Sequence, residues 1–266
     1  MKKGIALLLI IISVLSCKNQ VKESTASTGI MWFNDNPNHR EIILEGIRHF
    51  ENFEFEKAYV YFEKAVRLDS TLFAPHVMLA SLSRPNSAQQ EYHYEKAKEL
   101  VMDKNENSKR FVSLLDFKND FGKRNMMGRG EKIKIWDDMI KDAPNGRFIQ
   151  FYHAWSRATI EERIKAMENL LALRLNNGST DYAHILNVLG YSYMDSDNLE
   201  KAKSLFEEYI SQYPSGYNPF DSMGEFYFAQ KDYENAKIYY NKALDAYPAA
   251  NYPFQKLQEI NALSAE

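Results

Sequence analysis

The sequence is short of the residue patterns from which small chemical centres are built. It holds one cysteine, Cys17, in 266 residues, so no intramolecular disulfide can form. Its six histidines are His39, His49, His76, His93, His153 and His184. No two stand three to five residues apart, the spacing at which one helix face presents two metal ligands. There is no GxSxG elbow and no phosphate-binding glycine loop; Gly128 and Gly130 make a GxG, but no strand pattern precedes it. Adjacent acids occur at Asp137-Asp138, Glu161-Glu162 and Glu207-Glu208. On a helix, successive side chains diverge by about 100°, so these pairs read as solvated faces and not as a convergent acid–base couple. The sequence therefore assigns no catalytic residue, no metal and no cofactor.

Long apolar runs are also missing, except at the start. Lys2 and Lys3 precede an apolar and small stretch from Gly4 to Leu15, followed by Ser16 and Cys17. That is the layout of a secretory signal peptide. A helix of this length spans roughly 18 Å, against the ~30 Å of a bilayer core, so it does not suit a permanent transmembrane anchor. Residues 17–35, with Lys18 to Gly29 lacking aromatics, read as a flexible tether that buries too little surface to offset its ordering entropy. Of 33 basic residues, cleavage before Cys17 removes two, leaving 31 against 36 acids and a formal charge of −5. An overall acidic chain of this kind is not expected to bind nucleic acid.

What the sequence does have is a period. Gly190 recurs as Gly224, Tyr193 as Tyr227, Ala202 as Ala236, Phe206 as Tyr240 and Pro214 as Pro248, each pair 34 residues apart. Five matches in one register mark an internal repeat. Apolar residues follow helical spacing, as in Ala58, Tyr61, Phe62, Ala65 and Val66, and nothing reads as a strand series. A glycine inside a helix costs about 1 kcal/mol relative to alanine, so its recurrence calls for a packing reason: two antiparallel helices approaching closely where Gly190 faces Ala202, with Tyr193 and Phe206 filling the wedge beyond. Pro214 and Pro248 stop the second helices.

These residues resemble the tetratricopeptide repeat. The resemblance implies an all-α, right-handed solenoid of about six helix-turn-helix units. In register they fall at 39–72 (Gly46, Ala58, Phe62), 73–112, 113–146, 147–180, 183–216 (Gly190, Tyr193, Ala202, Phe206) and 217–250 (Gly224, Tyr227, Ala236, Tyr240), with a capping helix at 251–266. The unit at 113–146 fits worst, placing Asp120 and Lys132 where small residues belong. Val14-Leu15-Ser16-Cys17 resembles the bacterial lipobox, which implies lipidation of Cys17 and a protein held on a membrane, at the outer membrane of a bacterial envelope, by acyl chains worth about 0.8 kcal/mol per buried methylene.

In such arrays the first helices line a concave groove. The register points Trp155, Tyr191 and Glu225 into it at equivalent positions, with His184, Asn187, Asp221, Phe228 and Phe151 beside them. Phe148, Phe151 and Tyr152 suit packing between repeats equally well. Aromatics with few polar neighbours are hot-spot chemistry. The expected role is a non-enzymatic scaffold for an envelope protein or peptide; the alternative is a solute-binding accessory lipoprotein, taking glycan or peptide, of an outer-membrane uptake system. Lys118 to Lys134, with Met126 and Met127 among basic residues, is a second candidate surface and most simply a solvated loop.

Overall fold

The structure, a computed structural model, describes residues 29–34, 36–116 and 128–263. The signal segment, Cys17, residues 18–28 of the tether and residues 117–127 of the basic stretch lie outside the described residues. Thirteen helices and no strand are found among the described residues: α1 (Pro37–Glu51), α2 (Phe55–Leu68), α3 (Phe73–Leu82), α4 (Ala88–Leu100), α5 (Glu106–Ser113), α6 (Arg129–Asp142), α7 (Arg147–Trp155), α8 (Ile160–Asn176), α9 (Ala183–Asp195), α10 (Leu199–Gln212), α11 (Asn218–Ala229), α12 (Tyr233–Ala246) and α13 (Asn251–Leu263). No described helix is long and apolar enough to cross a membrane.

Helix starts follow local chemistry. Asn36 accepts from Asn38 N with Pro37 in the first turn, Thr159 and Glu162 form a reciprocal capping box on α8, and Asn198 and Asp232 cap α10 and α12. The helices pair into antiparallel hairpins that stack in chain order. Within three hairpins one contact repeats. A Cβ added at Gly46 would lie 2.8 Å from Phe62 Cε1, one at Gly190 would lie 2.5 Å from Phe206 Cε1, and one at Gly224 would lie 2.7 Å from Tyr240 Cδ1. The glycine thus makes room for a ring sixteen residues onward, which corrects the expectation that it faces Ala202. The alanines Ala58, Ala202 and Ala236 are fully buried at the helix crossing. Tyr193 packs with Ala202 and Phe206 and Tyr227 with Ala236 and Tyr240, as the register expects, and both also reach the preceding hairpin, where the Tyr193 hydroxyl donates to Glu168 at 2.5 Å and the Tyr227 ring receives Lys203 Nζ at 5.7 Å.

The third unit departs from the 34-residue register. Its first helix is α5, ending at Ser113 where the register starts a unit, because the stretch between α5 and α6 is longer than in any other hairpin and a fixed count runs past it. Residues 29–34, expected as the end of the tether, are packed instead. Ile30 and Trp32 are buried, Trp32 lies 5.2 Å from the Phe111 ring and 4.9 Å from the Phe148 ring, and Asn105 Nδ2 donates to Gly29 O at 2.7 Å. The apolar run Ile30-Met31-Trp32-Phe33 is the physical reason: with Trp32 at its centre it removes more apolar surface from water than its ordering costs.

Curvature decides what faces inward. First helices meet first helices across hairpins, α3 with α5, α9 with α11 and α11 with α13, while α8, α10 and α12 make no comparable contact with one another. The stack is tighter on the first-helix side, which is therefore the concave one. The turn between α1 and α2 lies against that concave side of the C-terminal hairpins.

Candidate functional site

The concave face of α7, α9 and α11 is built from one or two turns of each helix plus the end of α10. Phe151 is fully buried with its ring 4.7 Å from His184, edge to face; Trp155, one turn on, is half-buried. Asn187 and Asn218 link α9 to α11, Asn187 Nδ2 donating to Asn218 Oδ1 at 3.2 Å while Ser222 Oγ donates to Asn187 Oδ1 at 2.9 Å. This pair is buried, so its amides are matched to each other.

Residues 51–54 sit on this face. The Phe53 ring stands edge-on to Trp155 at 5.4 Å, and Phe50 approaches Tyr152 at 6.3 Å. The Tyr209 hydroxyl donates to the Asn52 carbonyl at 3.2 Å. Glu54, fully buried, accepts from the Tyr213 hydroxyl at 2.9 Å and the Tyr217 backbone N–H at 2.6 Å; on its own hairpin it meets His49 Nδ1 at 2.6 Å and Lys57 Nζ at 3.3 Å. Around this core, Arg48 lies 5.5 Å from the Tyr213 ring, Lys57 lies 5.2 Å from the Tyr217 ring and 5.1 Å from the Tyr247 ring, and the Tyr217 hydroxyl donates to Glu56.

The electrostatics follow from burial. Burial alone would raise the Glu54 carboxyl, but hydrogen bonds from His49, Tyr213 and the Tyr217 backbone, with the charge of Lys57, hold it below the usual carboxylate range. Glu51 lacks such donors, and burial pushes it up to about 7 despite the nearby charges of Arg147 and Arg174. The same two arginines, added to burial, hold His184 neutral, with its pKa pushed down to about 3. Asp221 is pushed up to about 8 by burial and by Glu225 and Glu56, and its Oδ1 has no hydrogen-bond partner.

A second, more open part of the face lies toward α13. The Tyr191 hydroxyl donates to Glu225 Oε2 at 2.7 Å, the exposed Tyr252 donates to Glu225 Oε1 at 3.0 Å, and Lys256 Nζ sits 4.2 Å from the Phe228 ring centroid. Among the described residues no three His, Cys, Asp or Glu side chains come together as metal ligands.

Two stretches of the chain, residues 189–216 and 221–249, match family models described as tetratricopeptide repeat. The chain carries tetratricopeptide repeats. The matched stretches are the α9–α10 and α11–α12 hairpins, whose packing glycines are Gly190 and Gly224. No curated protein matches the chain. Among solved structures it is similar to PilW, titled a widely conserved type IV pilus biogenesis factor, at 13% identity and a TM-score of 0.43, covering 84% of this chain and 99% of that one. It is similar also to YrrB, titled a TPR protein with an unusual peptide-binding site, at 14% identity and a TM-score of 0.38, covering 82% of this chain and 90% of that one. A third is MamA from residue 41 to its end, from Desulfovibrio magneticus RS-1, at 12% identity and a TM-score of 0.37, covering 81% and 98%.

The sequence-derived groove residues divide into two groups in these tetratricopeptide hairpins. Tyr191, Glu225 and Phe228 come together beside α13 and keep part of their surface exposed. Phe151, His184, Asn187 and Asp221 are buried, and half-buried Trp155 lies against Phe53, so none of these five offers an open surface in this arrangement. The physical reason is the same for all: a concave face curved this tightly is filled from inside the molecule. The residues that register alone misses are those of the filling turn, Glu51, Asn52, Phe53 and Glu54, and their hosts Tyr209, Tyr213 and Tyr217. One signal was readable, an aromatic between two helices where a turn normally carries Gly, Asn or Asp.

Proposed function

We propose that this chain is a non-enzymatic protein–protein interaction scaffold, exported and held at the bacterial envelope by lipid on Cys17. The observation that carries the scaffold reading is that the concave face already grips polypeptide, taking one backbone carbonyl, one aromatic ring and one carboxylate from residues 52–54. Buried Glu54 serves that grip, and the open part beside α13 offers Tyr191, Glu225, Phe228 and Tyr252 to a partner. Support for the anchor is Val14-Leu15-Ser16-Cys17 behind a short apolar run. A solute-binding role for glycan stacking on Phe228 and Tyr252 is less well supported, because Lys256 already lies over both rings.

The anchor is tested by metabolic labelling with an alkyne fatty acid. The chain takes the label, and Cys17→Ser loses it and moves to the soluble fraction; labelling that survives the substitution refutes the lipid anchor. The scaffold is tested with a photo-crosslinking residue at Phe228 in native membranes. A discrete adduct that fades with Tyr191→Ala plus Glu225→Ala supports it; the same adducts from the outward-facing Ile238, 51% exposed, refute a role for this face.

A further inference from the structure

The α1–α2 turn keeps the backbone of its sister hairpins but departs from them in the side chains at 51, 53 and 54. In the α9–α10 and α11–α12 hairpins the left-handed residue is polar, Asp197 at φ 62° and Lys231 at φ 61°, and it is exposed. The following residue caps the second helix, Asn198 accepting from Lys201 N and Asp232 from Asn235 N. In the first hairpin the left-handed position holds Phe53, at φ 61°. An aromatic is a poor occupant of that backbone region. The following residue, Glu54, makes no cap and runs instead to Tyr213 and Tyr217. Glu51 is buried where Asp195 and Ala229 are exposed. Phe53 and Glu54 each worsen the local turn and improve the distant contact.

The host side is equally specific. Arg174 is buried beside Arg147 with its Nε lacking a hydrogen-bond partner, but burial outweighs both charges at Glu51, so this position selects no charge. Trp155 takes the aromatic edge, Tyr209 takes a backbone carbonyl, and Tyr213 with the Tyr217 N–H takes a carboxylate. Gly216 keeps this last pocket open, since a Cβ there would lie 3.0 Å from Glu54 Oε1. Read as a recognition surface, the face selects an aromatic and then an acidic side chain along a tight turn.

We infer that the concave face of α7, α9 and α11 is a recognition site for a short aromatic–acidic segment of a partner protein, held closed in this structure by the chain's own Glu51–Glu54 turn. This rests on the scaffold reading and names its ligand chemistry. The internal turn competes at the high effective concentration of a tethered ligand, so a partner engages only when the turn is released or outcompeted.

The test restores sister chemistry to the turn. Phe53→Asn with Glu54→Asp gives the first hairpin a residue suited to the left-handed region and a capping carboxylate, so local folding is favoured while the distant contact is lost. A fluorescent peptide spanning residues 48–57 is titrated into the full chain and into the double variant. The variant should bind the peptide at least tenfold more tightly, show faster amide exchange at residues 209–217, and lose the gain when Glu54 of the peptide is replaced by glutamine. Circular dichroism and thermal melting establish that the variant is folded; should it not fold, Glu54→Gln alone serves, with a smaller gain expected. A folded variant that binds no better than the parent, or binds the glutamine peptide equally well, overturns the inference. Retained Phe228 adducts in that case leave the scaffold reading standing; their absence alongside gained peptide binding removes the envelope partner at Phe228 and keeps the site.

Discussion

Gly190 and Gly224 are the residues on which hairpin geometry turns. At Gly190 a methyl group would press on a fully buried Phe206 ring, so Gly190→Ala is expected to destabilise by about 1–3 kcal/mol in urea unfolding. Gly130, in the first turn of α6, has nothing within 4 Å of an added Cβ, and Gly130→Ala should be neutral or stabilising by up to about 1 kcal/mol. Opposite signs for one substitution separate packing from propensity. The period located these glycines in the sequence, but their partner was misread, because repeat spacing marks equivalent positions and says nothing of which side chain crosses the interface. The buried carboxyls carry their own sign. Asp221, pushed up to about 8, is penalised in the folded state as pH rises from the ordinary carboxylate range through that value. Asp221→Asn should therefore raise stability on the order of a few kcal/mol at pH 8 and change little at pH 4, as read by unfolding midpoints at the two pH values. Glu54 has the reverse sign: its carboxyl is held low, so its contribution is full above the ordinary carboxylate range and fades as pH falls toward its lowered value.

At the level of helices, the two C-terminal hairpins were legible residue by residue, because Gly-Tyr, Ala-aromatic and Pro all fall in register there. The α5–α6 unit was not. A register carried by counting fails wherever the connection changes length, and α5 starts on its own local signal, Asn105 accepting from Ser108 N. The cap was legible for a physical reason, since α12 would otherwise leave its outer face bare. In the structure Ile260 of α13 is fully buried against Ala236 and Tyr240. Ile260→Ala should cost about 2–5 kcal/mol, and hydrogen exchange should show the loss concentrated in α11, α12 and α13, with α3 and α4 unaffected. Loss of protection spread evenly over the chain would show that the hairpins do not act as nearest-neighbour units.

For the molecule as a whole, the contact between the first hairpin and the last three was invisible in the sequence. Its central pair, Glu54 and Tyr217, is separated by 163 positions, and its geometry depends on the summed rotation of every hairpin between them. Periodicity treats those units as interchangeable and gives no angle. The candidate face was legible as a set of positions, Trp155, Tyr191 and Glu225, while its filling by residues 51–54 was not.

That junction has a kinetic meaning. Closing a loop of this length in an unfolded chain costs about 4–5 kcal/mol of entropy by the logarithmic scaling, but stacked hairpins deliver the two surfaces already near one another. The junction should thus be the final step of folding and the earliest to yield on unfolding. It also works as a gauge: any small change of pitch in the hairpins between is summed along the array and delivered at Glu54. Whatever binds at the middle of the solenoid is then energetically coupled to the state of its ends, and by reciprocity the ends report back to the middle.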